Sequence, residues 1–215
     1  MKIIIFTFVI LTIALINVKA QEIGELAPEK APMVFPDNAY GVDIMFSDGG
    51  FGLGTFYHHK LNQEITAFAD FSFSEAKDEQ EFDYVDIWGN TYTFGKANRI
   101  FLLPFNFGIQ YRLFENTLYD NLRPYVNLGV GPTFVVTTPY TKEFFNAFGS
   151  AKTNYALGSY FGFGANFGTD KSSLIGINVR YYYIHLFNKG VESLFGRPKK
   201  NFGGVFLSIN LGIMY

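Results

Sequence analysis

The stretch Val205-Phe206-Leu207-Ser208-Ile209-Asn210-Leu211-Gly212-Ile213-Met214-Tyr215 decides how this chain folds. Its odd positions are all apolar or aromatic, while Phe206, Ser208, Asn210, Gly212 and Met214 between them are small, polar or mixed. A period of two held over 11 residues turns one strand face toward a greasy solvent and the other toward something wetter and tighter. Soluble sheets rarely carry so long an unbroken apolar face, whereas a transmembrane β-strand needs about 9–11 residues.

The same alternation recurs upstream, in segments delimited by turn residues. Tyr155, Leu157, Ser159, Phe161, Phe163, Ala165 and Phe167 oppose a face made almost wholly of glycine and small residues. Phe101, Leu103, Phe105, Phe107, Ile109, Tyr111 and Leu113 oppose Asn106, Gly108, Gln110 and Arg112. Val126, Leu128, Val130, Phe134 and Val136 oppose Tyr125, Asn127, Gly129, Gly131 and Thr133, and Ile175 to Tyr183 alternate with Gly176, Asn178, Arg180 and Tyr182. Tyr40 to Ser47, Phe51 to His59 and Glu64 to Ser74 alternate less cleanly. These segments make eight strands, an even number, as in single-chain bacterial barrels.

No stretch after residue 20 approaches 18 consecutive apolar residues, so helical spans are excluded. A chain of this kind in lipid must close on itself, because only closure satisfies every backbone polar group there. The expected fold is therefore all-β, an eight-stranded antiparallel up-and-down transmembrane β-barrel over residues 39–215, placed in the bacterial outer membrane.

Residues 1–20 read as a signal peptide, with Lys2 at a positive start, an apolar run from Ile3 to Ile16, and Val18-Lys19-Ala20 at the cleavage subsites. Residues 21–38, with three prolines and mixed charge, read as a short periplasmic lead-in. Removing the first twenty residues takes away Lys2 and Lys19 and no acid, leaving 15 basic against 19 acidic side chains, a net of −4. Such a balance excludes a nucleic-acid or other polyanion binder. The absence of cysteine in an exported chain excludes a disulfide scaffold, thiolate nucleophiles and the strongest zinc sites. With 26 Phe, 14 Tyr, 22 Gly and only 17% charged residues, the composition suits aromatic girdles and a close-packed lumen wall.

If the final strand ends on the periplasmic side, the outside connections are 48–50, 75–96, 138–152 and 188–200. Three of these are the longest in the chain, as the long-loop-outside rule requires. Outward Tyr40, Tyr57, Tyr111 and Tyr215 then form a periplasmic girdle, and Tyr155, Tyr181 and Tyr183 an outer one.

Leu122-Arg123-Pro124-Tyr125-Val126-Asn127-Leu128-Gly129-Val130-Gly131-Pro132 resembles the "RPY-x-x-x-G-x-G" strand of small outer-membrane β-barrel proteins of the OmpW/OmpX-like kind. Phe101 to Gly108 before Tyr111-Arg112-Leu113-Phe114 resembles the strand preceding it there, and Tyr215 resembles that group's terminal barrel-assembly signal. The resemblance covers essentially the whole mature chain. It implies a barrel rather than an activity, since the group includes adhesion-related proteins, small hydrophobic channels and many members with no assigned role.

Inward parity falls on the charged residues Asp43, Glu64, Asp70, Arg112 and Arg180, and on Asn106, Gln110, Asn127, Asn166, Asn178 and Asn210. An eight-stranded lumen is only wide enough to be filled by side chains or to hold one small ligand. The expectation is a mutually satisfied polar network that plugs it, because unpaired buried charge is costly; the alternative is a gated polar path. Pro104 and Pro132 sit at comparable height on adjacent strands, and neither can donate to a ladder. They mark either a bulge or a lateral opening through which an apolar ligand passes between lumen and lipid.

His58 and His59 lie at one end of the barrel and His185 at the other, which argues against a lipid-modifying active site and for interfacial histidine. The acidic 75–86 segment and the basic 189–200 segment read as solvated loops, with divalent-ion or lipid-phosphate contact as the functional alternatives. The sequence thus points to a non-enzymatic, monomeric outer-membrane barrel without catalytic, cofactor or metal residues. Its role is structural or in surface interaction, and passage of small hydrophobic compounds or lipid modification are the alternatives. Its expected partners are membrane lipid, lipopolysaccharide and, during biogenesis, the barrel-assembly machinery.

Overall fold

The computed structural model describes residues 34–89, 91–115, 118, 122–168 and 170–215. The expected signal peptide and all of the lead-in before residue 34 lie outside them. Eight strands form the wall: β1 (Asn38–Ser47), β2 (Gly50–Lys60), β3 (Ile65–Ala76), β4 (Asn98–Arg112), β5 (Leu122–Pro139), β6 (Lys152–Phe167), β7 (Ser173–Leu186) and β8 (Asn201–Met214). Each pairs antiparallel with its sequence neighbour, and β8 pairs with β1 from Ala39–Met214 to Ser47–Phe206, which closes the barrel.

Closure follows from the alternation. Val42, Leu53, Phe107, Ile109, Leu128, Phe161, Phe163, Ile175, Leu207 and Ile213 all face outward and are exposed. An apolar wall of that extent is stable only against lipid, and the closed ladder leaves no edge to satisfy there. The girdle tyrosines also face outward and are exposed at the two ends, with the Tyr40 and Tyr215 rings edge-on at 5.7 Å. Phe101 has the outward parity expected of it but is only 4% exposed. It is stacked between Phe73 at 5.3 Å and Phe148 at 5.8 Å, because the helix α1 (Phe144–Ala147) and the turn after it fold back onto the wall.

The lumen departs from the small, polar lining expected of it. Three groups of buried side chains fill it: Phe35, Ala39, Phe56, Leu174 and Met214 at the end with short turns, Met45, Phe68, Tyr160, Tyr182 and Phe206 at mid-height, and Ile100, Leu102, Val135, Ile184 and their neighbours toward the long loops. Glycines make room for the rings. A Cβ on Gly129 would lie 2.6 Å from Tyr160, one on Gly41 2.7 Å from Phe56, and one on Gly164 2.8 Å from Tyr125. The glycine-rich face of the sequence is thus the seat of inward aromatics on neighbouring strands.

The wall is uneven in height. β5 runs for 18 residues and β6 for 16, whereas β1 has 10 and β2 has 11. The loops at the tall side carry their own structure, α1 between β5 and β6, a hairpin of Asp83–Val85 with Thr91–Thr93 between β3 and β4, and a ribbon of Val191–Glu192 with Pro198–Lys199 between β7 and β8. At the opposite end the turns are short. In one, the Asp170 carboxylate accepts from the Ser172 backbone N–H at 3.1 Å and from the Ser172 and Ser173 hydroxyls at 2.9 Å, which holds its pKa below the ordinary carboxylate range.

Gly129→Ala should lower the unfolding stability of the refolded barrel by about 1–3 kcal/mol, the usual cost of overpacking a filled core. Gly149→Ala, where the added carbon meets nothing within 4 Å, should stay within about 0.5 kcal/mol of the parent. Urea titration followed by gel mobility checks both.

Candidate functional site

At mid-height the lumen is crossed by one cation between two acids. Arg180 on β7 places Nη2 3.1 Å from Asp43 Oδ2 on β1 and Nη1 3.9 Å from Asp70 Oδ2 on β3. All three side chains are no more than 4% exposed. Strand register supplies the remaining bonds. Asp43 stands directly opposite Asn210 and Asp70 directly opposite Asn106, and in each pair the asparagine amide donates to the acid, at 2.8 Å in the second. Tyr160 donates its hydroxyl to Asp70 Oδ2 at 2.7 Å, and Arg180 donates to the Tyr182 hydroxyl at 3.4 Å while lying 5.2 Å from the Tyr160 ring centre.

Five of the eleven polar residues expected in the lumen, Asp43, Asp70, Asn106, Arg180 and Asn210, therefore meet in one cluster. Asn127 and Asn178 are buried on either side of Gly162, where a Cβ would overlap both amides. Gln110, Asn166 and Arg112 lie nearer the short turns, around a cavity of about 100 Å³ that His58, Lys60 and Arg123 also line. Glu64 is not in the lumen. The turn Leu61–Glu64 precedes β3, so Glu64 is exposed, its N–H bonded to Asn62 and its carbonyl to the Arg112 N–H at 2.7 Å.

Sequence reasoning placed Tyr160, Tyr182 and Tyr125 on inward parity but left them out of the lumen network. Their signal was there: each is a large ring on a face otherwise made of glycine and polar residues. It also passed over Arg123, buried with its guanidinium 3.7 Å from the Phe35 ring centre.

The prolines interrupt two ladders without parting the strands. Pairing of β3 with β4 stops between Phe71–Phe105 and Ser74–Leu102, and pairing of β4 with β5 stops between Pro104–Thr133 and Phe107–Val130. Both resume in the same register, so no extra residue is inserted and there is no bulge. A Cβ on Gly131 would overlap the Phe105 carbonyl oxygen, so β4 and β5 remain in contact across the gap. Pro104 is buried in the lumen and Pro132 faces outward.

The histidines stay apart. His58 packs inward at 4.6 Å from Phe56, whereas His59 and His185 bond outward to Asn38 at 2.8 Å and Asn201 at 2.6 Å. Among the described residues no group of three His, Cys, Asp or Glu side chains could hold a metal ion.

The charged loops are not separate solvated faces, for they clasp each other. Lys199 Nζ is 3.3 Å from Glu79, and Arg197 is 3.7 Å from Asp78 and also bonds Gln80. Buried Lys96 is 2.9 Å from Glu81, which also accepts the Ser193 hydroxyl, and Ala97 N–H bonds the Ser193 carbonyl at 2.6 Å. Tyr140 adds a ring 4.7 Å from Arg99 and 5.3 Å from Lys96.

No protein-family model matches the chain, and no curated protein sequence matches it. Among solved structures it is similar to neisserial surface protein A, at 12% identity over 83% of this chain and 95% of that one, with a TM-score of 0.49. The outer membrane protein OprG of Pseudomonas aeruginosa matches at 14% identity, 85% and 97% coverage and a TM-score of 0.43. The attachment invasion locus protein Ail of Yersinia pestis matches at 11%, 82% and 95%, with 0.43.

Arg180→Met leaves two buried carboxylates without their cation and should destabilise the barrel by about 3–5 kcal/mol in urea unfolding. The triple change Arg180→Met, Asp43→Asn, Asp70→Asn should recover most of that loss, since the penalty lies in the uncompensated charge.

Proposed function

We propose that this chain is an integral barrel of the bacterial outer membrane whose lumen is closed by side chains and whose role is structural or in surface interaction through its loops. The observation that carries the reading is Arg180 held between Asp43 and Asp70 from different walls of the lumen, with the Tyr160 and Tyr182 rings against it. An ion meeting this cluster would have to displace a buried pair whose separation leaves uncompensated charge. The wide apolar belt and two tyrosine girdles support placement in lipid, and the long, structured loops support their display on the outer side.

Lipid and lipopolysaccharide are then the barrel's lateral partners, with the assembly machinery acting during insertion. A monomer suffices, because closure leaves the eight-stranded wall no long free edge to pair. Passage of apolar compounds between β4 and β5 is the weaker reading, since both strands keep register and contact at Pro104 and Pro132. Lipid chemistry is weaker still, because the histidines sit at opposite ends and face different sides of the wall.

Refolded protein in a planar bilayer should give no discrete channel openings. Tyr160→Ala with Tyr182→Ala, which removes the rings around the cluster, should introduce them. Openings by the unmodified chain would contradict the closed lumen.

A further inference from the structure

The short β1–β2 hairpin leaves a window in the barrel wall on the loop side. β8 pairs with β1 only from Phe206 onward, so Asn201–Val205 rise above it without a partner on that side. Across the gap, pairing of β3 with β2 reaches no further than Ser74. The turn at Ser47–Gly50 is the sill. Above it, the Lys199–Glu79 and Arg197–Asp78 pairs join the two flanks as a lintel. The opening leads into a cavity of about 530 Å³ whose inner wall carries Leu102, Phe202 and Phe206, a volume in the range of small-molecule sites, about 300–1,000 Å³.

Two features bear on what enters. Gly203 and Gly204 line the flank with φ of +143° each, a region that L side chains rarely adopt, and nothing lies within 4 Å of where a Gly204 Cβ would be. Glycine within a strand often marks a place where a ligand approaches the backbone. The second feature is charge. Both cations on the lining are matched, Lys199 by Glu79 and Lys77 by Asp83 at 3.4 Å. The acids are not all matched. Glu81 holds Lys96 at 2.9 Å, leaving Glu75 3.9 Å from that shared lysine, and Asp48 on the sill has no ion pair among the described residues. Glu75 and the sill are adjacent, for a Cβ on Gly49 would lie 2.8 Å from the Glu75 carbonyl oxygen.

We propose that this window is a binding site for a small amphiphilic cation, its charged head at Asp48 and Glu75 and its apolar body against Leu102, Phe202 and Phe206. Below Leu102 and Phe206 lies a cavity of about 10 Å³, the volume of about one water, too small for the ligand to continue through it toward the central cluster. The site goes beyond the closed-barrel reading and stands whether or not the lumen conducts.

The test is calorimetric titration of hexyltrimethylammonium into the full chain in zwitterionic nanodiscs at low salt, against empty discs. Saturable binding is expected, with hexyl sulfate failing to bind. Asp48→Asn with Glu75→Gln should weaken it about five- to tenfold while leaving hexanol uptake unchanged, as expected for partly exposed charge contacts. Ser47→Trp, which fills the sill, should abolish uptake of both, with gel mobility confirming that the barrel is folded. Absence of saturable binding by the unmodified chain, equal affinity in the double variant, or equal binding of hexyl sulfate overturns the proposal.

Discussion

The interior of this barrel is organised by one buried guanidinium. Eight strands are the number that satisfies every backbone group in lipid while leaving a lumen just wide enough for side chains. What fills that lumen at mid-height must find its partners there, since the wall around it faces lipid. Arg180 does this by drawing Asp43 and Asp70 from two other strands, and each acid is completed by the asparagine directly across its own ladder. The cluster is therefore a product of register. A slip of one residue between β8 and β1 would turn Asn210 toward lipid and leave Asp43 with fewer donors. Groups of apolar side chains lie toward either end of the barrel, and the inward rings of Phe56, Phe68, Tyr125 and Tyr160 are seated on glycines of adjacent strands.

Most of the wall was legible because lipid imposes a strict period of two. β5 to β8 read cleanly, since their outward positions are nearly all Phe, Leu, Ile, Val or Tyr. The lumen was legible in parity but not in content. Asp43, Asp70 and Arg180 could be named as inward, yet alternation carries no height around a tilted barrel, so which acid meets the cation was not readable. Glu64 was misplaced because the alternation was extended by one residue into the turn that Asn62 caps. Tyr160 was left out of the network because a lumen face rich in glycine was read as small rather than as room for a ring.

The loop end was the least legible part, and the reason is sequence distance. Acidic residues 78–81 and basic residues 197–199 pair across more than a hundred positions, brought together by barrel closure. Neither segment shows this by itself, and each alone reads as a solvated charge run. Their clasp also turns the low hairpin of β1 and β2 into a framed window rather than an open notch. Strand length, a feature with no chemistry of its own, thereby decides where the loop side of the lumen is reached.

The central claim is that the Arg180 cluster divides the lumen into two compartments. Because the chain has no cysteine of its own, single thiols report this without background. Ala76→Cys lines the loop-end cavity and Gln110→Cys the turn-end cavity. In oriented proteoliposomes a charged, membrane-impermeant methanethiosulfonate should label Ala76→Cys only from the loop side and Gln110→Cys only from the turn side. Labelling of either thiol from both sides would contradict the account.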